Sequence, residues 1–153
     1  MGVQVPTAEQ LETAQRLRTT IGRLARLLRT NDAKLVPQLP PGWVPVLLST
    51  DRLGPIRVSA LAEREGVNPT LLSRIVGQLV GDGLIERTAD AEDRRAAWLQ
   101  STPAGRELAN SIRARRTEAI EAGLSALGAE ERECLLAALP ALERLSERLG
   151  ATC

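Results

Sequence analysis

Three features of this 153-residue sequence predict a mainly α fold with a single small β-hairpin. Apolar residues recur at helical spacing near both ends, as Leu17, Ile21, Leu24 and Leu28, and again as Leu135, Leu139, Leu142 and Leu149. In the middle, two short helical stretches meet at a tight turn containing Gly66. Directly after them, two strand-like runs, residues 84–88 and 95–100, flank the charged cluster "DAEDRR". Helix, turn, helix and hairpin in that order make a winged helix-turn-helix in which the hairpin is the wing.

The first helix is expected over residues 8–30, with Arg16, Arg23, Arg26 and Arg29 mostly opposite its apolar stripe. The Pro-rich "PQLPPGWVPVLL" breaks the chain and then gives a short helix to about Leu48, which Pro45 should kink or delay. "DRLGP" reads as a turn. Ser59 is a good N-cap, with Glu63 near capping-box spacing, for a helix Ala60–Glu65 that Gly66 ends in a left-handed C-cap. Asn68-Pro69 pairs an N-cap with the proline favoured at the first helical position. Leu72, Ile75, Val76 and Leu79 then form one buried stripe, and "GDG" at 81–83 stops the helix. Thr102 caps a long helix from Pro103 to about Leu124. Gly128 breaks it, and a last helix runs from Ala129 to Leu149, bent at Pro140. The chain thus divides into an N-terminal helix (1–34), the winged lobe (35–102) and C-terminal helices (103–153), and the outer segments carry apolar stripes that the small lobe cannot cover. A homodimer joined through those terminal helices would bury them.

Composition excludes several function classes. With 43% apolar and 25% charged residues the chain can build a core. No apolar run reaches the length of a membrane span, and the first residues lack the pattern of a signal peptide, so a cytoplasmic protein without a membrane partner is expected. There is no histidine, tyrosine or phenylalanine, which removes the commonest general base and the commonest metal ligand. No serine–base constellation or paired-carboxylate motif stands out, so no catalytic residue, metal site or cofactor is expected, and the protein does not read as an enzyme. Cys134 and Cys153 follow no metal or redox spacing. All basic residues but Lys34 are arginine, the better residue for bidentate contacts to phosphate and guanine, although a GC-rich genome accounts for most of that bias.

The stripe of the second short helix leaves Thr70, Leu71, Ser73, Arg74, Gly77 and Gln78 facing away from the module. Hydroxyls, Arg and Gln on an outer face are the groups that read base edges in the major groove of double-stranded DNA. Arg74 can bridge guanine O6 and N7, and Gln78 can pair with adenine or hold a phosphate. Asn68, Pro69 and Thr70 bring the helix N-terminus near a phosphate. Arg94 and Arg95 at the hairpin tip have no core to support. With the helix in the major groove they would lie over the adjacent minor groove, where negative potential is concentrated. Asp93 is positioned to set the geometry of that loop. A winged helix can instead be a protein-interaction module, but that predicts an apolar outer face, and Leu71 is the only apolar residue larger than proline there. Residues 55–100 hold six arginines against seven acids. Binding must therefore depend on where the arginines sit, with help sought from Arg113, Arg115 and Arg116 or the first helix.

"VSALAEREGVNPTLLSRIVGQLVGDGLIER" followed by "DAEDRRAAWLQSTPAG" resembles the DNA-binding lobe of the MarR family (multiple antibiotic resistance regulators), and the flanking helices follow the same order. Asp93-Arg94-Arg95 and Thr102-x-x-Gly105 are the more specific parts. The resemblance implies a homodimeric regulator on a pseudo-palindromic operator, usually a repressor released by oxidation or by a small ligand of aromatic or amphipathic character. It also implies a minor-groove role for Arg95 and a DNA-facing Ser73-Arg74 pair. Trp43 is a weak candidate for the ligand cleft, since a tryptophan on an apolar face is more often core. Redox sensing at Cys134 or Cys153 is the other reading. The family's oxidation sensors carry their thiol near the N-terminal helices, where this chain has none, and although Arg132 is near Cys134, Glu130, Glu131 and Glu133 around it disfavour a thiolate. Ser101 in place of a usual leucine, Pro45 in the second helix, and Gly77 in place of a larger residue depart from the family pattern.

Overall fold

The computed structural model describes residues 7–37, 39, 40, 42–90, 93 and 96–150. They divide into two compact units, one up to Arg116 and one from Thr117 on.

In the first unit, α1 spans Ala8–Leu35. Thr7 opens it with a capping box: its Oγ accepts from the Gln10 N–H, and the Gln10 side chain accepts from the Thr7 N–H. The helix continues five residues past the expected end at residue 30. No glycine or proline interrupts it there, and Arg116 holds the buried Asp32 in its last turns. Helix α2 spans Trp43–Leu53. The kink or late start expected of Pro45 does not occur, because the proline falls in the first turn, where its missing N–H has no helical partner to lose. Asp51, Arg52 and Leu53, expected in a turn, are the end of this helix, and the turn contracts to Gly54-Pro55.

A two-residue strand that the sequence reading lacks follows, β1 (Ile56–Arg57). Helix α3 (Val58–Glu65) grows directly out of it. Ser59 is therefore not the N-cap. That position belongs to Arg57, which makes no side-chain capping bond, and Ser59 lies inside the first turn. Gly66 closes α3 at φ +60°, the left-handed conformation expected of it, with the Val67 N–H reaching back to the Ala62 carbonyl. Helix α4 (Pro69–Gly81) carries Leu72, Ile75, Val76 and Leu79, all buried as their spacing predicts.

Strands β2 (Ile85–Ala89) and β3 (Ala97–Ser101) pair antiparallel, with Arg87 opposite Leu99. β1 adds to the other side of β3, so the wing is one edge of a three-stranded sheet in the order β1-β3-β2. Leu47, Leu61, Leu72, Leu79, Leu99 and Ile112 are fully buried and join α2, α3, α4, the sheet and α5 in one core. Each such side chain contributes about 1.5–3 kcal/mol. Ser101, where the resembled family has leucine, is also buried, and its Oγ has no hydrogen-bond partner among the described residues. Helix α5 (Pro103–Ser125) starts in this unit.

The second unit holds the end of α5 and α6 (Ala129–Gly150), which continues through Pro140. No residue of α6 is buried, and Leu135, Leu136, Leu139 and Leu149 are exposed. Cys134 is an exposed free thiol on this helix, and Cys153 lies outside the described residues.

Candidate nucleic-acid interface

Local chemistry sets the start of α4. The Asn68 Oδ1 accepts from the Thr70 N–H at 2.9 Å, and Pro69 occupies the first helical position. Four buried residues pin one side of the helix to the core. What remains outward is the set expected from the spacing: Thr70, Leu71, Ser73, Arg74, Gly77 and Gln78 are all exposed, as are Asn68 and Pro69 at the helix start. Arg74 makes no ion pair or hydrogen bond among the described residues, so its guanidinium is available to a ligand. Leu71, 43% exposed, and Val80 at the far end are the large apolar residues on this helix that face solvent.

The base of the wing is built around a carboxylate that the sequence reading missed. Asp90 is buried. Its Oδ2 accepts from Arg57 Nη2 at 2.8 Å and from the Trp98 indole N–H at 2.9 Å, and its Oδ1 accepts from the Asp93 N–H at 3.2 Å. The Arg57 guanidinium also lies over the Trp98 ring, 5.2 Å from its centroid. Asp93, expected to set the loop geometry, joins through its main chain, its carbonyl accepting from the Ala96 N–H at 2.9 Å. Arg57 stands 33 positions before Asp90, on a strand too short to announce itself, and no local pattern ties the two together. Arg94 and Arg95 lie outside the described residues.

Replacing Asp90 with alanine should therefore loosen the wing from its base. One charge-assisted bond and two further bonds are lost together, for a cost of about 2 kcal/mol. Hydrogen exchange of the Asp93 and Ala96 amides should speed up well before that of the α4 amides. Unchanged exchange at both would show that other contacts hold the loop.

Two of the arginines sought as auxiliary phosphate contacts are engaged elsewhere. Arg113 pairs with Asp51 at 2.7 Å, and Arg116 pairs with Asp32. They tie α5 to α2 and to α1 respectively. Trp43 is half-buried and packs against the core. A cleft of about 760 Å³ lies elsewhere in the lobe, between α3, the α3–α4 turn and the wing, and Arg57, Ser59, Glu63, Asn68, Arg87 and Asp93 are among the residues that line it. Among the described residues no helix is long and apolar enough to cross a membrane.

The sequence model of the MarR family matches residues 44–97, the stretch that holds α2, the helix-turn-helix and most of the wing. The chain belongs to the MarR family. Transcriptional regulators with solved structures match it over nearly its whole length. A putative transcriptional regulator of Pseudomonas aeruginosa is 32% identical, with a TM-score of 0.78 over 93% of this chain and 98% of that one. A transcriptional regulator of Thermotoga maritima is 27% identical, with a TM-score of 0.70 over 90% of this chain and 98% of that one. An uncharacterised helix-turn-helix transcriptional regulator of Mycobacterium leprae is 29% identical over 124 residues, covering 80% of this chain and 84% of that protein. The winged helix-turn-helix described above is thus the DNA-binding lobe of a MarR-family transcriptional regulator.

Proposed function

We propose that this MarR-family protein is a homodimeric repressor that reads a pseudo-palindromic operator through one α4 per subunit. The observation that carries the reading is the outward face of α4. Ser73, Arg74 and Gln78 are exposed, opposite a fully buried stripe, on a helix whose start is fixed by Asn68 and Pro69. Arg74 and Gln78 supply the base contacts, and Asn68, Thr70 and Ser73 supply phosphate or base contacts beside them. Arg94 and Arg95 are assigned to the minor groove and its phosphates.

The dimer reading is supported by apolar side chains left in solvent within each unit. Leu11, Ile21, Leu24 and Leu27 on α1 are about half exposed, as are Ile120 on α5 and Leu135 and Leu139 on α6. So many exposed large apolar residues on helices outside the winged lobe are what a monomer avoids and an interface uses. Release by a small aromatic or amphipathic ligand completes the reading, and it follows from the family rather than from a ligand site in the described residues.

The test is a mobility shift on the DNA flanking the protein's own gene, beside random duplex of equal length. Two chains should bind per operator. Arg74→Ala should lose about 1–3 kcal/mol on the operator and much less on random duplex. Equal losses on both would reduce Arg74 to a phosphate contact. Binding of one chain per operator would contradict the two-fold arrangement.

A further inference from the structure

A glycine inside a helix weakens the fold relative to alanine, by a factor of about five in the folded-to-unfolded ratio, because its backbone loses more freedom on folding. Two structural needs make glycine worth that cost: a left-handed backbone, or a contact too close for a Cβ. Gly66 and Gly83 have positive φ, and a Cβ at Gly54 or Gly105 would run into backbone atoms. Gly77 meets neither need. It lies in the interior of α4, its φ is not positive, and a Cβ built on it would meet nothing within 4 Å. Gly22 on α1 and Gly123 on α5 share this freedom on helices assigned above to the dimer. Gly77 belongs to the winged lobe, and packing within the chain gives no account of its missing side chain.

Its place on the helix supplies one. At about 100° per residue, Gly77 lies within about 30° of the line directly opposite the centre of the buried stripe Leu72, Ile75, Val76 and Leu79. Thr70 and Arg74 share that central line, and Ser73, Arg74 and Gln78 are the exposed neighbours of Gly77 on the helix surface. The middle of the outward face therefore carries polar side chains in its first turns and bare backbone at Gly77.

We propose that Gly77 is a specificity-determining position of α4, whose bare Cα seats the C5-methyl of a thymine in the major groove beside the base that Arg74 reads. The proposal rests on the reading of α4 as the major-groove helix, and adds the base that its later turns select. The N–H and C=O of an interior helical residue are taken by the helix ladder. Gly77 thus offers no hydrogen bond, only room and an apolar surface. Among the groups that base edges present in the major groove, the thymine methyl is the one satisfied by apolar contact; the others are donors and acceptors. A donor or acceptor set against Gly77 would lose its water and gain no partner. Room matters as well. The groove is about 12 Å wide and a helix with its side chains is about 10–12 Å across. A side chain on the line of closest approach would hold the helix axis away from the bases, and Arg74 and Gln78 with it.

The experiment uses the full chain, the duplex that the parent protects in the DNA flanking its own gene, and random duplex of equal length. Gly77→Ala and Gly77→Leu are compared with the parent and with Arg74→Ala. Each thymine of the protected duplex is also replaced in turn by deoxyuridine, which lacks only the methyl. Gly77→Ala should raise the melting midpoint of the free protein by about 2–4 °C. It should nonetheless weaken operator binding about tenfold, with random duplex changed by less than about twofold. Gly77→Leu should weaken the operator further. One deoxyuridine position should weaken the parent and strengthen Gly77→Ala, because it removes the methyl that the parent seats and the variant strikes.

Unchanged operator affinity in both glycine variants, with the expected loss in Arg74→Ala, overturns the proposal and leaves the α4 reading intact. Equal weakening on operator and random duplex overturns it as well, and so does a lowered melting midpoint in Gly77→Ala, which would give the glycine a role in the fold. If no deoxyuridine position weakens the parent, or none relieves Gly77→Ala, the methyl seat is overturned. Failure of the parent to bind any duplex at low salt removes the α4 reading and the proposal together.

Discussion

Gly105→Ala is expected to destabilise the winged lobe by about 2–3 kcal/mol, a large change for a single added methyl. A Cβ at this position would stand 1.9 Å from the Leu84 carbonyl oxygen and 2.9 Å from its carbon. Both are backbone atoms, so no side chain can turn aside to make room. The surroundings admit little relaxation. The Leu84 carbonyl accepts from the Thr102 N–H at 3.1 Å, the Thr102 Oγ donates to the Gly83 carbonyl at 2.7 Å, and the same Oγ accepts from the Gly105 N–H at 3.0 Å. Thr102 and Gly105 together clamp the start of α5 to the turn between α4 and β2. Moving α5 away breaks the clamp and drags the fully buried Ala109 and Ile112 from the core. Alanine gains about 1 kcal/mol over glycine in helix propensity. Forcing a methyl into a packed contact costs about 1–3 kcal/mol or more, and a 1.9 Å approach to backbone belongs at or beyond the top of that range. The strain wins. A urea titration checks it: the midpoint should fall with the slope unchanged. A midpoint at or above the parent's would show that α5 shifts without cost.

The Thr102-x-x-Gly105 pattern was visible in the sequence, but only as a resemblance; its reason is a contact between α5 and a turn eighteen or more residues earlier. The same division runs through the fold. The stripe 72/75/76/79, the left-handed Gly66 and the Asn68-Pro69 start were legible because each is local. The boundaries of α1 and α2 were not. Asp32 stays helical with a partner 84 residues away, and Pro45 is harmless only because α2 begins at Trp43. β1 was missed because two residues carry no alternation to read; its pairing with β3 defines it. In the candidate site, the outward residues of α4 followed from the periodicity of their buried neighbours. The hidden part was whatever joins distant segments: Asp90 with Arg57 and Trp98, and the cleft that places Arg87 beside the start of α4.

Arg116→Ala is expected to cost about 3 kcal/mol, because it leaves a carboxylate in the interior without its cation. The Asp32 side chain is 4% exposed. It receives Arg116 Nη2 at 2.6 Å on one oxygen and Nε at 3.1 Å on the other, a two-point pairing across α1 and α5. Breaking a buried pair from one side costs about 3–5 kcal/mol, since the remaining charge keeps its desolvation and loses its compensation. Arg116 is itself 27% exposed. Water can therefore follow the truncated side chain inward, which places the cost at the low end. Removing both charges should be gentler. Asp32→Ala with Arg116→Ala leaves no buried charge, so the double variant should be more stable than Arg116→Ala alone, with a coupling of about 2 kcal/mol in the cycle. The Arg113–Asp51 pair provides the internal comparison. Its arginine is 40% exposed and its aspartate 9%, so Arg113→Ala should cost less than Arg116→Ala. Denaturant midpoints for the four members of the cycle decide it. Additive losses would mean that Arg116 stabilises through the packing of its aliphatic stem. A double variant recovering past Arg116→Ala would show that the buried charge of Asp32, held for its partner 84 residues on, is what fastens the last turns of α1 to α5.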